Sequence, residues 1–209
     1  MPLQNRVDPW GNIIRTTARG TFMGNRGGAL HNAEREIVRR FKSRRWITCV
    51  LEFKGRKRSV MTPGLYTELF FLDEAVAFAA GHRPCAECRR ARFNAFRDAW
   101  QRLETNNDRS PLLADEIDLD LHRARIDRHG KKITWQAKLS SLPDGCFVEI
   151  DGSGYLVSDK TLLQWSPECY TRRETMPGNL IVKVLTPRPI VRCFRRGYQP
   201  EMHSSTFAL

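Results

Sequence analysis

Cys85 and Cys88 are the residues of this chain whose type and spacing point most directly to chemistry. A Cys-x-x-Cys on a tight turn lets two thiolates face one ion, while backbone N–H groups aimed at the sulfurs offset part of the pair's charge. Zinc is the expected cofactor, and a structural zinc takes four nitrogen or sulfur ligands. The remaining two have no diagnostic spacing. Cys49 and His82 are the first candidates, followed by His31, His122, Cys146, Cys169, Cys193 and His203. Cys49 falls on the apolar face of an alternating stretch, where a free cysteine serves as a small hydrophobe. His82 stands close enough to Cys85 to shape the turn through backbone hydrogen bonds instead. The bland alternative to a metal is a reduced cysteine pair inside a packed turn, and a thioredoxin-like redox role lacks the βαβ setting it needs.

A second constellation is Asp118 with His122, four residues apart on an expected helix and therefore facing one way, with Asp115 on the same stripe. That spacing permits shared metal ligation, or a carboxylate that orients an imidazole acting as a base. An ordinary surface ion pair is the competing reading.

The cysteine turn needs elements to hold it. Residues 67–72 read as a buried strand ending at Asp73, which caps a helix over 74–80 by accepting from its free N–H groups, and Gly81 closes that helix in the left-handed conformation. After the turn, Phe93, Phe96, Trp100 and Leu103 recur at spacings of three and four. This predicts a helix whose apolar stripe packs inward while Arg89, Arg92, Arg97 and Arg102 point elsewhere.

The run Ala80, Gly81, His82, Arg83, Pro84, Cys85, Cys88, followed by Arg89 and Arg90, resembles the metal-binding domain of the bacterial Ada alkyl-DNA repair proteins. There a strand and a short helix lead into an A-G-[FY]-R-P-C-x-x-C knuckle. The resemblance is confined to the segment around the knuckle. It implies a zinc knuckle near nucleic acid, with the other two thiolates coming from an upstream Cys-x-x-x-Cys that this chain lacks. One cysteine of that missing pair is the family's methyl acceptor, so methyl transfer is not implied. The whole chain also looks like a bacterial group carrying AGHRPCxxCRR.

With 209 residues, 41% hydrophobic and 10% aromatic, the chain is long enough to bury a proper core as one domain or two small lobes. A formal net charge of +12 makes nucleic acid the default partner, because a cationic surface gains steering and counterion release at a phosphate backbone. An unspecific basic surface is the alternative. No apolar run is long enough to span a membrane or to serve as an export signal, and the six cysteines are sparse. A cytoplasmic protein with reduced thiols and no membrane partner is expected.

Residues 1–30 read as an irregular arm of turns, in which the Gly24, Asn25, Arg26, Gly27, Gly28 cluster is either an ordinary loop or a phosphate cradle without the rest of a P-loop. A short helix is expected over 33–45, then a strand over 46–53 with Ile47, Cys49, Leu51 and Phe53 on one face, and a returning strand over 59–61. This hairpin gathers Arg44, Arg45, Lys54, Arg56, Lys57 and Arg58 into a phosphate-contacting ribbon, to which Arg89 and Arg90 add after the knuckle. Trp46 and Phe53 are read as core rather than as base-stacking platforms. Residues 105–111 form a polar linker, and 114–126 a helix with Ile117, Leu121 and Ala124 buried.

From 134 onward the texture is β-rich. Strands are expected over 147–150 and 155–157 around the Asp151, Gly152, Ser153, Gly154 turn, and again over 162–165, 180–185 and 190–194. The fold class expected is α+β, with an arm over 1–30, a zinc-knuckle domain over 31–130 and a small barrel-like β lobe over 131–209. The function expected is that of a zinc-binding, basic nucleic-acid-binding protein, with DNA the expected partner and weak sequence selectivity. The alternative is a metal-dependent hydrolase or nuclease built on His122, Asp118 and Asp115.

Overall fold

The computed structural model describes residues 1–56, 59–101 and 112–209. In chain order it contains β1 (Gln4–Val7), β2 (Ile13–Arg15), β3 (Phe22–Asn25), β4 (Ile47–Cys49), β5 (Leu69–Phe71), α1 (Glu74–Ala79), β6 (Arg83–Pro84), α2 (Arg90–Gln101) and α3 (Ala114–Arg125). These are followed by β7 (Trp135–Lys138), β8 (Phe147–Ile150), β9 (Ser153–Ser158), β10 (Thr161–Trp165), β11 (Tyr170–Thr175), β12 (Ile181–Val184) and α4 (Arg188–Arg195). The class is α+β. One sheet is mixed, in the order β2-β1-β5-β3-β4-β6, and the other is antiparallel, in the order β11-β10-β9-β8-β12-β7. The C-terminal part is β-rich as expected, but its strands lie in a sheet edged by β11 and β7 rather than in a closed barrel.

Helix α1 is the piece around which both sheets gather. All six of its residues are buried. Asp73 caps it, Oδ1 accepting from the Val76 N–H at 2.8 Å, and Gly81 follows at φ +87°. The second carboxylate oxygen of Asp73 accepts from the Tyr170 hydroxyl at 2.8 Å and from the His203 N–H at 3.1 Å, so the cap also anchors the C-terminal region. Glu74 is equally buried. It accepts from the Tyr198 hydroxyl at 2.9 Å and the Glu201 N–H at 2.8 Å, and pairs with Arg89 and Arg92 at 2.8 and 2.7 Å.

Two apolar clusters fill the interior. Phe78, Phe96, Trp100, Ile117 and Leu121 from the helices meet Val148, Val157, Val184, Ile190 and Phe194 in one. Val7, Leu69, Phe71 and Val76 meet Phe147, Leu156, Leu163 and Tyr170 in the other. Each cluster draws side chains from both sides of residue 130.

Four expectations are overturned. Residues 1–30 are not an irregular arm, because β1 pairs in parallel with β5 and β3 pairs with β5 and β4, partners far away in sequence. Residues 33–45 are not helical. The Asn32 side chain takes the Glu36 N–H at 2.8 Å, His31 bridges Ile37, and Arg35 sits at φ 63°, so local polar bonds outcompete a helix with few apolar residues to bury. Residues 190–194 are helical, not extended. Pro189 lies in the first turn of α4, and Ile190, Val191, Cys193 and Phe194 fall at helical spacing on its buried face. The expected hairpin partner at 59–61 is also missing, since β4 pairs instead with β3 and β6.

Candidate metal centre

Strand β4 lies in parallel beside β6, with Ile47 opposite Arg83 and Thr48 opposite Pro84. The Cys85 N–H donates to the Thr48 carbonyl at 2.9 Å, so Cys49 and Cys85 leave the pair side by side at the same end. Cys88 is returned to them by the turn into α2, in which the Arg89 N–H donates to the Cys85 carbonyl at 3.1 Å. Two local hydrogen bonds therefore convert a pairing of distant strands into a thiol trio. The three Sγ atoms all lie within 4.8 Å of one another, close enough to hold a metal ion. Tetrahedral thiolates at ~2.3 Å from a common ion would be about 3.8 Å apart, so small side-chain adjustments close the site.

The electrostatics fit a cation. Hydrogen bonds from the Cys49 and Cys88 thiols, with backbone N–H groups of Cys88 and Glu87, hold the Cys85 thiol well below the ordinary thiol range. The Glu87 N–H lies 3.4 Å from Cys85 Sγ. Cys49, bonded to Cys85 and Cys88 and buried, is pushed far up. The Cys49 hydrogen bond lowers Cys88, but its neighbour Cys85 and burial leave it raised. Three adjacent sulfurs thus share protons because they cannot all be anions unaided, and a metal ion would replace those protons. The cluster ends at three donors among the described residues.

Cys49 belongs to this group rather than serving as filler in the core. His82 does not. It is fully buried between the rings of Phe71 and Trp46, with Nε2 accepting from Arg26 Nε at 3.3 Å. His31 bonds Thr67, His203 caps the turn at Ser205, Cys169 lies by Ser166, and Cys146 and Cys193 are in the apolar core. Burial raises both core thiols, Cys193 to about 12.

The second constellation is split between different partners. Arg83 grips Asp118 from the inside, whereas Asp115 pairs at the surface with Arg45 at 3.1 Å. His122 turns its Nδ1 to Arg125 Nη2 at 2.9 Å and packs its ring in a T-shape with Phe41. Burial first, then Arg125 and Arg44, depress its pKa to about 4, so it is a neutral acceptor at physiological pH.

The expected phosphate contacts also divide. Arg44, Arg45, Lys54, Arg56 and Arg90 are surface residues, with Lys54 and Arg56 facing Glu87 at 4.0 and 3.0 Å. Arg89 is not a surface residue, being 5% exposed in its pair with Glu74. Lys57 and Arg58, like Arg102, Leu103 and the linker at 105–111, lie outside the described residues. Sequence reasoning missed the buried cations Arg26, Arg83 and Arg125, since arginine in a basic chain reads as surface and no local pattern marks it otherwise. No helix of the described chain is long and apolar enough to cross a membrane. Compared with protein-family models, curated proteins and solved structures, the chain matches none of them.

Proposed function

We propose that the chain is a zinc protein that binds nucleic acid through its basic surface. The observation that carries the reading is the approach of the Cys49, Cys85 and Cys88 sulfurs to within 4.8 Å of one another. An all-thiolate donor set suits zinc, a borderline-soft ion without geometric demands of its own, in a chain with no hard oxygen cage at the same place. The Ada-like knuckle sequence supports the same ion, with Cys49 supplying from β4 a thiolate that the resembling family takes from its upstream pair. Bound there, zinc would tie β4 and β6 to the start of α2.

The nucleic-acid half of the reading rests on the net charge of +12 and on the exposed Arg44, Arg45, Lys54, Arg56 and Arg90. Their carboxylate partners are few and solvent-exposed, so a phosphate backbone displaces them at little cost. The hydrolase reading loses ground, because Asp118 is committed to Arg83 and His122 to Arg125.

The test is elemental analysis of untagged protein together with oligonucleotide titrations at several salt concentrations. One zinc per chain, and binding that weakens as salt rises, is the expected result. Metal-free protein of full thermal stability, or absence of binding at low salt, would overturn the corresponding half.

A further inference from the structure

Around Trp46 the fold collects positive charge and leaves most of it without a countercharge. The guanidinium carbons of Arg26 and Arg125 lie 4.1 and 4.0 Å from the Trp46 ring centroid. Both side chains are 1% exposed. Their polar partners are dipoles rather than anions. Arg26 donates to the Gly11 carbonyl at 3.0 Å and the Arg40 carbonyl at 3.3 Å, and Arg125 to the Gly81 carbonyl at 2.8 Å and the Arg44 carbonyl. Lys132 donates its ammonium to the Ala79 carbonyl.

The carboxylates near this group do not balance it. Asp8 accepts from Asn12 twice, and burial raises its pKa, which weakens it as a counterion. Asp118 is spent on Arg83. The cations themselves register the imbalance. Burial first lowers Arg26 and Arg125 to about 9, joined by repulsion from Arg40 on Arg26 and from Arg26 and Arg83 on Arg125, against the partial attraction of Asp8 and Asp118 respectively. Burial with Arg26 and Arg125 lowers Lys132 to about 7 against the attraction of Asp8. Uncompensated buried charge is costly, and a fold that keeps it at a solvent-connected hollow has somewhere to put an anion.

That hollow exists. It lies open to solvent between Trp10, Phe41 and Trp46, with Arg40, Arg125 and Lys132 in its wall. We propose that this hollow binds a phosphate-class oxyanion, with the exposed Arg40 and the ammonium of Lys132 as direct donors and the buried guanidiniums of Arg26 and Arg125 setting the field. The aromatic wall suits a phosphate carried on an organic group, such as the end of a nucleic-acid strand, and free inorganic phosphate offers the same chemistry. The site involves none of the three cysteines and stands or falls apart from the zinc reading.

The experiment is isothermal titration and thermal-shift measurement on the full chain. Its probes are inorganic phosphate and one oligonucleotide with and without a 5′-phosphate. Wild type, Arg40→Gln, Lys132→Met and, as a control on β11, Arg172→Gln are compared. Millimolar phosphate is expected to raise the melting temperature of wild type and of the control, and Arg40→Gln to weaken binding about tenfold, the loss of one charge-assisted donor. A 5′-phosphate preference that Arg40→Gln removes identifies a strand end as the source, and equal binding of inorganic phosphate identifies the free ion. Arg40 is at the surface, so its variant remains decisive if Lys132→Met fails to fold. No phosphate effect on wild type, or an unchanged affinity in Arg40→Gln, would overturn the proposal.

Discussion

Arg83 holds Asp118 in a two-pronged grip, Nε to Oδ1 at 2.9 Å and Nη2 to Oδ2 at 2.6 Å, with both side chains almost wholly removed from water. This pair ties α3 to β6, the short strand that delivers Cys85. Replacing Asp118 by Ala strands a buried guanidinium and is expected to cost about 3–5 kcal/mol. Urea denaturation measures it. A loss below about 1 kcal/mol, the range of exposed pairs, would show the grip to be immaterial.

Each member of the thiol trio is expected to matter to the metal. Cys49→Ser, Cys85→Ser and Cys88→Ser should each lower metal content and thermal stability, whereas Cys169→Ser should alter neither. Metal analysis of the four variants reads this out, and full occupancy in Cys49→Ser would remove β4 from the site. A chelator should lower the melting temperature of wild type, because removing the ion leaves three thiols competing for protons.

Acid should act through His122. Its folded pKa is depressed to about 4 from an ordinary value near 6.5, so between those limits the unfolded chain binds a proton that the folded chain refuses. Stability therefore rises with pH through this window and is lost as pH falls through it. His82, buried against Arg26 and Arg125, shifts in the same direction. His122→Phe should flatten the pH dependence between about 4 and 6.5 relative to wild type. Parallel stability curves for the two proteins would count against the assignment.

Among the arginines near the knuckle, exposure separates binders from struts. Arg44, Arg56 and Arg90 changed together to Gln should leave the fold intact and flatten the log–log salt dependence of duplex binding by roughly two to three units, about 0.9 per lost phosphate contact. Arg89→Ala should instead destabilise the protein, because Glu74 then loses a buried countercharge. An Arg89→Ala protein of normal stability with weakened binding would reverse this division.

What the sequence made legible was local. The Asp73 cap, the turn at Gly81 and the hairpin at residues 151–154 depend on neighbours a few residues away, and all three form as read. The proline-led helix at 188–195 carried its signal too, in prolines and a three-four spacing that also passes for a short strand. Strands β1 and β3 were hidden because their meaning lies in distant partners, and Cys49, named as a candidate ligand, was also readable as packing because an apolar strand suits either role. The buried arginines had no signature at all. Their positions follow from carbonyls that come together only when the chain is folded.

The two carboxylates at the head of α1 bear on how the chain reaches this fold. Asp73 and Glu74 emerge from the ribosome well before Tyr170, Tyr198, Glu201 and His203, which complete a set of partners that Val76, Arg89 and Arg92 only begin. Until those arrive, burying α1 would place under-satisfied acids in an apolar interior, so the nascent first half is penalised for closing early. Completion of the helix's surroundings is thereby coupled to synthesis of the tail. Such dependence on late, distant contacts is characteristic of slow folders. A ribosome stalled before residue 198 should carry an open, protease-sensitive N-terminal half.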